Sequence, residues 1–416
     1  MDVPAQTLPE GLTLINIAGA PTKSGTVRIG ADRLLREASE LVAGKRVGVL
    51  TNHTGRLADG RSIIDALAES GVCKLKALYG PEHGITGDTP DGKGVEHALH
   101  PRYGIQVYSL YGKTHKPTPG MLEGVDVIVC DIQDVGARFY TFISTVALAM
   151  EAAGEQKIPF VILDRPNPIR GLSFDGPIRV PSLKAFVSWL PIPVTHGLTL
   201  GELARMWNDE GWLANGVKAP LQVVEMEGWK RSMWYDETGL DWTAPSPNMP
   251  TLTTAIVYPG LCFVEGTTVS EGRGTTNPFQ LIGAQWASPD KILKELSEFR
   301  TPGIVFTETE FTPNEIPAMA SQPKFEGTVC HGIRLSVVDR NAVEPVRLGV
   351  AILSAFKRAH PTETILRKRR FDILTGNRNV RELLDRGCPP DEICDGWAEE
   401  LKAFGENRSK HLLYEV

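Results

Sequence analysis

Several features that would announce a function at once are missing from this chain. It has no apolar run of about 18 residues, the length a helix needs to cross a bilayer, and Met1-Asp2-Val3-Pro4-Ala5 begins neither a basic stretch nor an apolar leader core. The expected location is the cytoplasm as written, with periplasm or exterior open to a form that has lost a leader. Positive charge is not in excess: 44 Lys and Arg against 50 Asp and Glu give a net charge of -6, which offers nucleic acid no electrostatic footprint. The short basic cluster Arg367-Lys368-Arg369-Arg370 reads as a solvated helix end. No C-x-x-C pair joins Cys73, Cys130, Cys262, Cys330, Cys388 and Cys394, and most sit in apolar runs, so buried reduced thiols are expected.

Nucleotide and hydrolase signatures are equally scarce. The turn Thr51-Asn52-His53-Thr54-Gly55 lacks the G-x-G-x-x-G of a dinucleotide site, and neither Gly92-Lys93-Gly94 nor Gly272-Arg273-Gly274 completes it. Gly112-Lys113-Thr114 imitates the end of a P-loop, but Val107 stands where the earlier glycine is required. There is no H-E-x-x-H and no G-x-S-x-G elbow. No organic cofactor is expected.

What is present is an alternation. Short apolar runs at Arg46-Val47-Gly48-Val49-Leu50, Lys74-Leu75-Lys76-Ala77-Leu78, Ile105-Gln106-Val107-Tyr108 (placed at an edge), Val125-Asp126-Val127-Ile128-Val129-Cys130 and Pro159-Phe160-Val161-Ile162-Leu163 are interleaved with an amphipathic segment at 63–69 and a helix at 139–153. That pattern predicts an α/β fold with a mostly parallel sheet covered on both faces. With 416 residues, two domains are expected, over 1–250 and 251–416, after a loose arm covering 1 to about 25. A helix is predicted from Leu198 to Glu210 with Thr199 as its cap, and Pro245 to Pro250 should be extended and stiff.

Ligands of parallel sheets bind beyond the carboxyl ends of the strands, and the polar clusters of this chain fall there. Gly80-Pro81-Glu82-His83-Gly84 is the foremost, because glycines on both sides let other atoms approach the carboxyl group. On an extended segment Glu82 and His83 would point to opposite sides. Asp131 and Asp134 can act as carboxylates at another strand end or simply cap the next helix. Arg138 and Tyr140 can bind or pack, and Asp164-Arg165-Pro166-Asn167-Pro168 is a turn first and a contact second. Glu271 and Arg273 lie in a glycine-rich loop suited to touching a ligand. A metal site built from Asp131, Asp134 and Glu82 is the rival chemistry for the same strand ends.

Taken in order, Thr51-Asn52-His53-Thr54-Gly55, Gly80-Pro81-Glu82-His83-Gly84, the run Asp131 to Thr141, Asp164-Arg165-Pro166-Asn167-Pro168, Pro245-Ser246-Pro247-Asn248-Met249-Pro250 and Ser270-Glu271-Gly272-Arg273-Gly274-Thr275 resemble the bacterial exo-β-N-acetylmuramidase family. The resemblance runs from about Arg46 to Tyr414. It implies a Rossmann-like first domain, a smaller second one with the active cleft between them, and a glycoside hydrolase that removes terminal N-acetylmuramic acid from peptidoglycan fragments. The expected partner is an oligosaccharide. Non-enzymatic binding of such fragments is the alternative outside catalysis.

Glycoside hydrolysis needs a protonated carboxyl at the leaving oxygen and a group that meets the cationic carbon. Glu82 is expected as the acid, oriented by His83 or Asn52. Asp131 or Asp134 would supply the second group, unless the substrate's own 2-acetamido group does. The lactyl carboxylate of muramic acid calls for a cation, and Arg138 and Arg273 are the choices made from sequence. Tyr140 and Trp242 are expected to stack on sugar, with Asp164, Asn167 and Glu271 as further contacts.

Overall fold

The computed structural model describes residues 27–89 and 97–415. The expected arm over 1–25 and the Gly92-Lys93-Gly94 turn lie outside them. Seven strands form the larger sheet: β1 (Arg46–Thr51), β2 (Lys74–Gly80), β3 (Ala98–Leu99), β4 (Gln106–Ser109), β5 (Val127–Asp131), β6 (Phe160–Leu163) and β7 (Leu221–Val224), in the order β3-β4-β2-β1-β5-β6-β7. Every neighbouring pair is parallel except β3 with β4. The mostly parallel α/β sheet read from the sequence is therefore found. One detail differs: β4 is not the edge, because the two-residue β3 covers it.

The strand period of two explains why these runs are apolar throughout. Val47, Val49, Val127, Val129, Val161 and Leu163 pack on one face with Leu34 of helix α1 (Gly30–Glu37) and Ile63 and Leu67 of α2 (Ile63–Ser70). Leu50, Ile128, Cys130, Phe160 and Ile162 point the other way, onto α3 (Thr141–Glu155) and α4 (Leu200–Asp209). Each such side chain, fully buried, stabilises the fold by about 1.5–3 kcal/mol relative to exposure, so both faces favour the same register. Helix α3 is buried from Thr141 to Gly154, the mark of a core helix rather than an amphipathic one. In α4 the predicted cap is present: Thr199 and Glu202 form a capping box.

A second, antiparallel sheet is built from β8 (Leu281–Ala284), β9 (Ile304–Phe311) and β10 (Cys330–Val337), in the order β8-β10-β9. Around it lie α5 (Leu252–Leu261), α6 (Pro289–Ser297), α7 (Pro345–Ala359), α8 (Lys368–Thr375), α9 (Arg378–Asp385), α10 (Pro390–Asp395) and α11 (Ala398–Arg408). Helices α5 and α7 approach so closely that a Cβ on Gly260 would collide with the Pro345 carbonyl oxygen. The apolar core is continuous between the sheets: Phe139, just before α3, meets Tyr258 edge-on at 5.4 Å and Phe263 at 6.1 Å.

The end of the chain crosses back to the first sheet. The Tyr414 hydroxyl donates to Asp164 Oδ2 at 2.6 Å and accepts from the Met226 amide at 3.0 Å. Leu413 N donates to Glu202, itself paired with the buried Arg231. All six cysteines are unpaired. No helix among the described residues is long and apolar enough to cross a membrane.

Candidate active site

Three parallel strands send their carboxyl ends to one cavity of about 410 Å³. Strand β2 leads to Glu82 and His83, β4 to Tyr111, and β5, through an eight-residue turn, to Tyr140 and Thr141. The chain after β2 is not extended: His83 adopts φ 71°, a left-handed conformation unusual for a residue with a Cβ. That turn brings Glu82 and His83 to the same cavity, against the expectation that they diverge.

Glu82 is buried, and its Oε2 accepts a hydrogen bond from Thr141 Oγ1 at 2.6 Å at the start of α3. Its charge and a hydrogen bond to it push the Tyr111 hydroxyl upward in pKa, together with burial as the main cause. His83 hydrogen-bonds through Nδ1 to the Thr89 carbonyl at 2.6 Å. Burial lowers its pKa, opposed by the charge of Glu82, so the ring is held toward its neutral form. Tyr140 lines the cavity beside Phe142, at 4.7 Å between ring centres.

The facing wall comes from the second sheet and its helices. The loop Ser270–Gly274 runs tight against its neighbours: Gly272 and Gly274 have φ of 78° and 79°, and a Cβ on either would press into the carbonyls of Leu281 and Asn314. Only glycine suits both demands. From this loop Arg273 reaches Glu265 Oε1 at 2.8 Å, lies 3.6 Å from Glu271 and covers the Phe279 ring at 5.2 Å. Burial lowers the Arg273 pKa to about 10, against the favourable charge of Glu82. Glu271 is ion-paired with Lys324 at 2.9 Å. Burial and the charge of Glu271 push Glu265 up to about 7, while Arg370 and Lys324 pull it down.

Of the residues singled out from sequence, Glu82, His83, Tyr140, Glu271 and Arg273 line this cavity, and the others do not. Asp131 is fully buried in a two-bond pair with Arg165, at 2.6 and 2.9 Å, and burial raises its pKa while Arg165 opposes the rise. Asp134 accepts from the Gly136 amide and sits 3.2 Å from His196 Nε2. Asn52 accepts from Thr54, and Asn167 fastens Ile169 and Leu198. Asp164 is buried under Thr199, Gly201 and Tyr414, with its pKa pushed up to about 6. Trp242 donates to the Met249 carbonyl at 3.3 Å and does not itself line the cavity.

Arg138 is the plainest correction. Its guanidinium is fully buried and donates to the carbonyls of Pro177, Ile192 and Leu374, so it is not placed to bind a substrate carboxylate. Its place is in the packing between Pro177, Ile192 and helix α8. Pro245 to Pro250, expected to be extended and stiff, turns back with Met249 N on Ser246 O at 2.9 Å, and Ser246 and Met249 line the cavity. The metal set Asp131, Asp134 and Glu82 is dispersed, and no group of three or more His, Cys, Asp or Glu among the described residues is arranged to hold an ion.

Thr141, Tyr111, Glu265, Lys324 and Arg370 were not foreseen at the cavity. Thr141 closes a motif already singled out, and Glu265 lies five residues before the Ser270–Thr275 motif, so both were within reach. Tyr111 and Lys324 carry no sequence signal. Arg370 was read as a solvated helix end, and only the packing of α8 turns it inward.

Comparisons with known proteins agree with this architecture. The family model for the N-terminal part of the exo-beta-N-acetylmuramidase NamZ matches residues 47–253, and that for its C-terminal part matches 256–414. A peptidoglycan beta-N-acetylmuramidase NamZ of Bacillus subtilis is 43% identical over 393 residues, covering 94% of this chain and 92% of the relative. Two crystal structures of DUF1343 family proteins from Bacteroides fragilis are similar. One has a TM-score of 0.86 at 36% identity, covering 94% of this chain and 100% of that one. The other has 0.76 at 31%, covering 94% and 99%.

Proposed function

The chain belongs to the exo-beta-N-acetylmuramidase family, and from that premise we propose that its cavity holds a terminal β-linked N-acetylmuramic acid whose glycosidic oxygen is protonated by Glu82. The protein is a glycoside hydrolase acting on peptidoglycan-derived sugar. The observation that carries the residue assignment is the position of Glu82: a buried carboxyl at a strand end, fastened by Thr141, opening into a cavity of a size that encloses a small ligand.

In this reading the substrate enters with its non-reducing ring in the cavity, and Glu82 gives a proton to the leaving oxygen as the glycosidic bond breaks. Asp131 and Asp134 are withdrawn from the second role, because each is spent on a buried partner. Glu271 takes it, as the carboxylate that faces the developing positive charge, either at the anomeric carbon or through the substrate's 2-acetamido group. Its pairing with Lys324 and its nearness to Arg273 fix it in place. Water then completes hydrolysis, its hydroxyl going to the anomeric carbon and its proton to Glu82, which replaces the one that left with the alcohol. The fragment preferred under this reading ends in muramic acid followed by N-acetylglucosamine.

The direct test compares a chromogenic β-N-acetylmuramide with the matching glucosaminide, each with and without chelator. Release from the muramide alone, unchanged by chelator, is the expected result. Binding without release would turn the cavity into a fragment receptor, and loss of activity with chelator would restore the metal hydrolase. A finer expectation concerns Tyr111. Tyr111→Phe removes one hydroxyl from the Glu82 carboxyl, which at about 1–1.5 kcal/mol corresponds to a kcat roughly 10-fold lower with KM little changed. Unaltered kcat would take Tyr111 out of the support of the acid.

A further inference from the structure

Three cations line the cavity among the described residues, and they are not equivalent. The Lys324 ammonium has three hydrogens and three acceptors: the carbonyls of Val264 and Val269, each at 2.8 Å, and Glu271 at 2.9 Å. It straps the loop after β9 to the glycine-rich loop and is saturated. Arg273, its side chain 20% exposed, is set among Glu265, Glu271 and the Phe279 ring, with the Glu82 charge acting on it as well. Arg370 differs. Its side chain is 47% exposed, it gives Nη2 to Glu265 Oε2 at 3.1 Å, and no other hydrogen bond ties its guanidinium among the described residues. The Nε and Nη1 donors make no hydrogen bond among the described residues, and the residue lines the cavity.

The direction of this side chain is set from two sides. Glu265 bridges Arg273 and Arg370, one oxygen to each. Helix α8, which carries Arg370, is held by the buried Arg138 through the Leu374 carbonyl at 2.9 Å, and by the Asp372–Arg381 pair at 2.7 Å. Arg370 is also near enough to Tyr111, the neighbour of Glu82, for its charge to be felt there. A half-paired guanidinium on a fixed helix, facing the proton donor across a cavity, suits a carboxylate that enters with the substrate.

We propose that Arg370 is the specificity-determining residue, pairing its open guanidinium edge with the lactyl carboxylate of the muramic acid in the cavity. This rests on the reading of the cavity given above. It moves the lactyl contact from Arg138, which is buried in backbone carbonyls, and from Arg273, which is engaged with the acidic residues of the site. The lactyl ether on C3 lies two carbons from the reacting centre, so one pocket serves both ends of the ring. Arg138 becomes a positioning residue for the helix that reads the substrate.

The test is a two-by-two cycle on the full chain: wild type and Arg370→Gln, each with a chromogenic β-N-acetylmuramide and with the same glycoside carrying its lactyl group as the amide. Wild type should lose about 10- to 100-fold in kcat/KM when the carboxylate is converted to the amide. Arg370→Gln should show a similar loss on the carboxylate substrate, mainly through KM, and the variant with the amide should lose little more than either change alone. Arg370→Lys should recover part of the preference. A variant that keeps the full wild-type preference for the carboxylate overturns the proposal, and so does one that loses both substrates in equal proportion. Silence of the wild type on both glycosides removes the reading of the cavity, and this inference with it, an outcome distinct from either.

Discussion

Glu82→Gln should lower kcat on an aryl β-N-acetylmuramide by about 10²- to 10⁴-fold, the range of a lost general acid. Glutamine keeps the size of the side chain and an oxygen for Thr141 Oγ1, whose bond to Glu82 is 2.6 Å. The thermal midpoint should therefore stay within roughly 4 °C, the shift that about 1 kcal/mol produces. The deficit should shrink on a dinitrophenyl glycoside, because that leaving group departs without a proton. Near-normal turnover of an alkyl or weakly activated glycoside would sink the assignment. An equal deficit on all leaving groups would mean that Glu82 acts on the anomeric carbon instead.

The second large effect is expected in stability rather than in turnover. Asp131 and Arg165 are both buried and joined by two hydrogen bonds at 2.6 and 2.9 Å, and Arg165 also donates to the Arg56 carbonyl. Removing one partner leaves the other charge buried without its counterion, at a cost of about 3–5 kcal/mol. Asp131→Ala should lower the urea midpoint accordingly, with kcat of the remaining folded fraction close to wild type. Asp131→Asn keeps the shape and should fall between. Replacing both residues, as in Asp131→Leu with Arg165→Met, should recover much of the loss, since no unpaired charge then remains. A folded Asp131→Asn with unchanged urea midpoint and a collapsed kcat would return Asp131 to the chemistry.

These two carboxylates show where the sequence was legible and where it was not. Strands β1, β2, β5 and β6 are written as continuous apolar runs because both of their faces are covered, and Glu82 stands out because a Gly-Pro turn follows such a run directly. Strand β7 was missed: Leu221-Gln222-Val223-Val224 is four residues long and half-polar. Strand β9 was missed because the charged side chains of Glu308 and Glu310 mask an exposed edge. Asp131 also ends a buried strand, so by sequence it equals Glu82. What separates them is Arg165, which arrives 34 residues later and claims both oxygens.

The same holds for the arginines. A buried guanidinium that gives its two terminal nitrogens to three carbonyls and one that is half exposed at a cavity are the same letter, and the sequence places Arg138 with the ligand and Arg370 in solvent. Neighbouring residues gave no warning, since Arg370 shares its run with Arg367, Lys368 and Arg369. Only the seating of α8 against Arg138 and Glu265 decides which side of the helix meets the cavity. Side-chain chemistry proposes candidates, and tertiary geometry chooses between them.

The hydrogen bond from Tyr414 to Asp164 spans 250 residues of chain. During synthesis Asp164 emerges from the ribosome long before its partner, so the first sheet spends most of translation with that carboxyl and the Glu202–Arg231 pair unsealed. Without residues 413 and 414 the first sheet lacks hydrogen-bond partners that Asp164, Glu202 and the Met226 amide have in the finished structure. Those contacts close only when Leu413 and Tyr414 dock, which makes this segment a clasp that ties the sheet leading to Glu82 to chain that lies far beyond it in sequence.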